Sequence, residues 1–224
     1  MNNTVKTLLE KLIQLSLVLY FVFISTSHAA PSKSEILAWS CFSCHGVNGA
    51  SQGPATPVIA GLSENYLIGA MLSYKYVDDL DKAVDILDEQ PELEDVRVKK
   101  RFSAIMKRVA AAYSLEEIRE LAYFFSQQEF IIPDQAFNAA SAKKGKKLHK
   151  KYCEKCHEDW GTSTEDDVGL LAGQWNAYLS YTLEDFISGD REMIKKMKKK
   201  MKKMLDKKGD ESISHLIHFY ASQR

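Results

Sequence analysis

The chain has 224 residues, with Lys+Arg and Asp+Glu at 30 each, so it is formally neutral; 45% of residues are hydrophobic and 27% charged. This balance excludes wholesale disorder, and neutrality excludes the basic signature of a dedicated nucleic-acid binder. Four cysteines are too few for a disulfide scaffold, and they fall into two close pairs, Cys41/Cys44 and Cys153/Cys156.

Residues 1–29 read as an address label. Lys6 and Lys11 precede the apolar run Leu12–Ile24, and Ser27-His28-Ala29 is a small-x-Ala cleavage site. That is the three-part pattern of a secretory signal peptide cut after Ala29. The rival, a retained anchor, needs ~20 apolar residues to span a bilayer. The expectation is a mature protein in the periplasm with no membrane span.

The remainder is written twice. At an offset of 112, Cys41, Cys44 and His45 fall on Cys153, Cys156 and His157, Ala60-Gly61 on Ala172-Gly173, and Tyr66-Leu67 on Tyr178-Leu179. Farther on the offset is 96, with Ser126-Gln127 on Ser222-Gln223. The first copy therefore holds about 16 extra residues, found in the acidic stretch Val77–Asp95. A repeat this long is domain-sized. The expected organisation is a first domain at 30–132 with an acidic insertion, a linker at 133–140 opened by Pro133, and a second domain at 141–224.

In chain order the elements are helical. Ser34–Cys44 and Ala142–Cys156 are helix-compatible and run into the cysteine pairs. Ser114-Leu115-Glu116-Glu117 is a capping box, followed by Ile118, Leu121, Ala122 and Phe125 at helical spacing. Asp210 starts the matching helix of the second half. No alternating strand pattern appears, so the fold is expected to be all-α. Each half has too little apolar material to close a core unaided, and something bulky and apolar is expected at its centre.

Cys41-Phe42-Ser43-Cys44-His45 and Cys153-Glu154-Lys155-Cys156-His157 are both C-x-x-C-H, the attachment signature of c-type haem. On a helical turn the two cysteines face one way and reach the two vinyl groups of one porphyrin, and the histidine lies against the iron. A zinc ribbon needs its pairs ~15–20 residues apart, far closer than here. The reading is two tandem class I cytochrome c-like domains, each with a covalent haem c. The sixth iron ligand must come from within each half. The first half has no spare histidine, so methionine is expected. Met71 matches Leu183 in the repeat and reads as packing, which leaves Met106. In the second half Met193, Met197, Met201 and Met204 form one stripe. Met197 reproduces the apolar positions at +4 and +7 that follow Met106, whereas Met193 has Lys200 at +7. Met197 is favoured, with Met193 left open. Histidine–methionine ligation closes the iron to substrate and suits electron transfer. Trp39, Trp160, Trp175, Tyr66 and Tyr178 read as haem-pocket or core packing, His149 as a solvated residue of a lysine-rich helix, and His215 and His218 as members of the last helix.

The mature chain resembles the dihaem cytochrome subunit of flavocytochrome c sulfide dehydrogenase, among the duplicated periplasmic dihaem cytochromes c. The resemblance rests on Gly53–Gly61, on Lys147–His157, on Leu171-Ala172-Gly173-Gln174-Trp175, on the Met193/Met197 pair among lysines, and on Phe219–Gln223. It implies that Cys41, Cys44, Cys153 and Cys156 are thioether anchors and that His45, His157, Met106 and Met197 are iron ligands. It also implies that the Pro57 carbonyl accepts a hydrogen bond from His45. Gly169 stands at the corresponding place in the second half, where His157 would need another acceptor. The implied partner is a separate FAD-containing sulfide dehydrogenase subunit in a heterodimer, with electrons leaving to a small soluble acceptor. This chain has no G-x-G-x-x-G fingerprint and no spare cysteine for the sulfide step. A free-standing dihaem shuttle donating to a terminal oxidase is the alternative. A dihaem peroxidase is a third reading, and it requires one iron open to substrate.

Overall fold

The computed structural model describes residues 2, 4–8, 11–14, 16, 30–164 and 167–223. It separates into two units, Met1–Ser32 and Lys33–Arg224. In the first, residues 4–8, 11–14 and 16 are helical. The expected cleavage site at Ser27–Ala29 and most of the apolar run lie outside the described residues. No helix among the described residues is long and apolar enough to cross a membrane.

The second unit is all-α, with no strand among its described residues. Its helices are α1 Lys33–His45, α2 Glu64–Lys75, α3 Leu80–Asp88, α4 Ala104–Ala111, α5 Leu115–Ser126, α6 Ala139–Tyr152, α7 Asn176–Ser188, α8 Lys195–Lys208 and α9 Glu211–Ala221. Side-chain caps set most starts, because the first backbone N–H groups of a helix otherwise lack partners. Ser63 caps α2, Asp79 caps α3, Ser103 caps α4 and Asn138 caps α6. The expected capping box is formed at α5, with Ser114 Oγ accepting from Glu117 N and the Glu117 carboxylate accepting from Ser114 N.

Each half crosses its motif helix over its last helix, α1 on α5 and α6 on α9. Two apolar clusters result. One gathers Ile68, Leu72, Ile118, Leu121 and Phe125, and the other Leu148, Met204, Leu216, Phe219 and Tyr220. The acidic stretch of the first half is more than a charged insertion. Within it α3 and the following 3₁₀ turn bury Ala83, Leu87 and Leu93 against the first cluster and leave their acids outside.

The two halves meet through specific polar contacts. The Asp167 carboxylate accepts from Ser63 Oγ at 2.7 Å and Asn65 Nδ2 at 3.1 Å. Trp175 Nε1 donates to the Ser51 carbonyl at 3.0 Å. Glu192 N donates to the Lys100 carbonyl at 2.9 Å.

Candidate haem-binding site

The first cysteine motif ends α1, with Gly46 N closing the turn on the Phe42 carbonyl. The second motif departs from the expected helix, since α6 stops at Tyr152. The reason is local. The His149 carbonyl accepts from both Cys153 N and Glu154 N, which widens the turn, and Cys156 N and His157 N then both bond to the Cys153 carbonyl. Both motifs still present the same pattern, the first cysteine half-buried and the second exposed, all four as free thiols. Burial pushes the Cys41 thiol up and the Cys153 thiol up to about 11, so both are neutral at pH 7.

The two histidines differ. His45 Nδ1 lies 2.9 Å from the Pro57 carbonyl, which fixes the ring and leaves Nε2 as the nitrogen that could take a metal. His157 Nδ1 is buried without a partner. Burial lowers His45 despite the Pro57 bond, and burial with the neighbouring His149 pushes His157 down to about 4. Both imidazoles are therefore neutral at pH 7, the form that binds a metal.

Met106 is the third residue of α4 and Met197 the third residue of α8. Both are half-buried and outside the two apolar clusters as described, whereas Met71 packs on the first cluster and Met193 on the second. Met201 and Met204 are buried in the second. The equivalence of Met106 and Met197 in helix position is a structural parallel that the sequence stripe alone hides.

Two features were not read from the sequence. Tyr66 Oη accepts from Arg101 Nη2 at 2.9 Å and from Arg191 Nη2 at 3.3 Å, so arginines from the two halves meet on one phenol. No carboxylate among the described residues is within ion-pair distance of either guanidinium. Tyr74 and Tyr178 belong to the same cluster, and burial raises both phenols. The second feature is His149, which is fully buried rather than solvated. Its Nδ1 is 3.0 Å from Tyr220 Oη, its Nε2 lies against the Glu154 carboxylate, and its ring packs among Trp160, Phe219 and Tyr220. The signal was present in spacing, since His149 follows Gly145 and Leu148 on the buried stripe of α6. His215 and His218 do lie in α9. Trp39, two residues before Cys41, is half exposed and packs in neither apolar cluster, so it does not serve as core.

Among the described residues no three His, Cys, Asp or Glu side chains converge to hold a bare metal ion. What the chain offers is suited to a haem. It supplies paired thiols, a neutral imidazole and a thioether in each half, and two guanidinium groups without an anion. Large apolar side chains also stay exposed beside these groups, Val47 next to the first motif and Phe102, Ile105 and Val109 about Met106.

Fold and motifs together resemble those of an all-α, two-domain, dihaem c-type cytochrome of electron transfer. No known family profile matches the chain. It resembles cytochrome c4. The cytochrome c4 of Stutzerimonas stutzeri is 29% identical over 161 residues, covering 67% of this chain and 69% of that protein. The crystal structure of reduced recombinant cytochrome c4 from Pseudomonas stutzeri superposes with a TM-score of 0.66 at 24% identity, over 88% of this chain and all of the other. Thiosulfate dehydrogenase from Marichromatium purpuratum shares the fold, with a TM-score of 0.61 at 17% identity over 82% of this chain and 36% of its own. These likenesses carry the dihaem cytochrome and stop short of the sulfide dehydrogenase subunit.

Proposed function

We propose that this chain carries single electrons in the periplasm, between a sulfide-oxidising FAD subunit held as a heterodimer and a small soluble acceptor. Haem c supplies a reversible one-electron iron couple. The chain's own residues do the rest. Cys41, Cys44, Cys153 and Cys156 would anchor the two haems, and His45, His157, Met106 and Met197 would supply the ligands to their iron. Arg101 and Arg191, which meet on the Tyr66 phenol and have no carboxylate partner among the described residues, would be available to the carboxylates of the prosthetic group. The observation that carries the reading is the duplicated set of thiol pair, imidazole and thioether, with methionine at the same helix position in each half.

The likeness to cytochrome c4 favours a second reading, a free-standing shuttle that donates to a terminal oxidase. Purification from the native host with haem and flavin absorbance read together separates the two. Flavin in about equal amount, bleached by sulfide as the haems reduce, supports the heterodimer. Haem alone with no response to sulfide sinks the flavoprotein partnership and leaves the shuttle.

A further inference from the structure

We infer that Gln174, in the second half of the chain, is a positioning residue for the iron ligand of the first half, acting on His45 through a single peptide group. The inference rests on the dihaem reading above.

The peptide between Pro57 and Val58 is used at both ends. Its carbonyl accepts from His45 Nδ1 at 2.9 Å. Its N–H donates to Gln174 Oε1 at 2.9 Å. A peptide group is planar, with C=O and N–H pointing opposite ways, so whatever fixes the N–H also aims the carbonyl. Gln174 fixes it firmly. Its Nε2 donates to the Val58 carbonyl at 2.9 Å, closing a two-bond clasp on that residue. Its Oε1 also accepts from Trp175 N at 3.2 Å, and its own carbonyl accepts from Gln135 Nε2 at 2.9 Å. Gln174 is only 2% exposed, and a buried, satisfied amide holds its geometry because losing a bond there leaves an unpaired polar group. The result is a hydrogen-bonded line from Gln174 to the peptide to His45. Bonds in such a line polarise one another, so the amide both aims the Pro57 carbonyl and makes it a better acceptor.

The second half has no counterpart. Under the offset of 112, Gln174 corresponds to Leu62, and Pro57 and Val58 to Gly169 and Leu170. His157 Nδ1 is left buried without a partner. The line therefore runs one way, from the second half into the first.

A hydrogen bond from Nδ1–H makes the imidazole a stronger donor to the metal and favours the oxidised iron. Loss of the Gln174 amide should raise the potential of the first haem and leave the second in place. Groups that orient a ligand typically shift affinity or activity by about 10- to 100-fold. The lower end predicts that an electron shared between the haems moves about tenfold toward the first, ~59 mV for a one-electron couple.

The test is potentiometric titration of the dihaem protein, with each step assigned by the variant that loses that haem's methionine band. Gln174→Leu removes both bonds at similar volume. Gln174→Glu keeps an acceptor for Val58 N–H and loses the donor. Asp167→Asn loosens the contact between halves without touching Val58. The inference expects a selective rise for the first haem in Gln174→Leu, a smaller one in Gln174→Glu and none in Asp167→Asn. Equal shifts at both haems, no shift in Gln174→Leu, or an Asp167→Asn shift as large, each overturn it. If Gln174→Leu does not fold, the comparison of Gln174→Glu with Asp167→Asn decides. Faster solvent exchange of the His45 Nδ1 proton by NMR in the Gln174 variants is the second readout. A wild-type chain without covalent haem would defeat the functional reading and this inference with it, whereas a haem-loaded chain whose Gln174 variants keep the wild-type potentials and exchange rate overturns this inference alone.

Discussion

His149 shows how much a single side chain's surroundings decide. Six lysines share its helix, yet it is fully buried against Tyr220, Glu154 and Trp160, because it sits on the stripe of α6 that faces α9. Replacing it by alanine opens a cavity and takes from the Tyr220 hydroxyl its bond to the ring nitrogen in one step. His149→Ala should cost about 2–4 kcal/mol, read as a lowered midpoint in denaturant with both haems still attached. A loss under about 0.5 kcal/mol, the ordinary range for surface positions, would show the site to be solvated after all. The methionines give a second prediction at this scale. Met197 and Met106 share a helix position and lie outside the described apolar clusters, while Met193 packs into one. Met197→Ala should therefore abolish the far-red methionine–iron absorption of one haem, and Met193→Ala should keep it. The reverse pattern moves the ligand to Met193.

At the scale of helices, the crossing of α6 over α9 depends on a residue with no side chain. A Cβ on Gly145 would come within 1.9 Å of the His215 carbonyl and 2.6 Å of the Phe219 Cβ. In an isolated helix Gly→Ala is worth about 1 kcal/mol of stability. Here the backbone of α9 must move away, and overpacking of this kind costs about 1–3 kcal/mol. Gly145→Ala should lower the melting temperature by roughly 2–4 °C per kcal/mol lost in a chain of this size; a rise would mean that the crossing is loose. Such a contact is not legible in sequence, where Gly145 is one weak helix former among good ones. The capping box at Ser114 was legible because it is closed within four residues. The helical nature of both halves was legible too, from apolar spacing. The end of α6 was not, since it depends on two N–H groups sharing the His149 carbonyl. Nor was the packing of α3, whose Ala83 and Leu87 are masked by the surrounding acids. The thiols and histidines of the two motifs could be picked out because chemistry demands them at fixed local spacing. Gln174 and Arg191 could not, since their partners lie more than a hundred residues away.

For the whole molecule the charge is separated although the total is zero: residues 30–132 carry a net −5 and residues 141–224 a net +5. The negative end includes the outer face of α3, where Asp81 and Asp85 are exposed. The positive end includes α6 and α8, which touch each other and expose Lys196, Lys199 and Lys203 around the helix that bears Met197. Fields of this kind raise encounter rates with oppositely charged partners by about 10–10³ and lose that advantage as salt is added. At 0.1 M the screening length is ~10 Å, shorter than the reach from one end of this chain to the other. An anionic oxidant should thus meet the second half first. In stopped flow, oxidation of the reduced protein by ferricyanide should slow as ionic strength rises. Lys199→Glu combined with Lys203→Glu should reduce the low-salt rate by about 3- to 10-fold, within the range that steering spans, and flatten the salt dependence. Asp81→Lys with Asp85→Lys should change it little, because those charges sit on the other half. A cationic oxidant should reverse the order of the two double variants. If both oxidants respond to the same pair of substitutions, the exits are not divided by charge, and the lysines of α8 serve only to keep a methionine-lined helix in water.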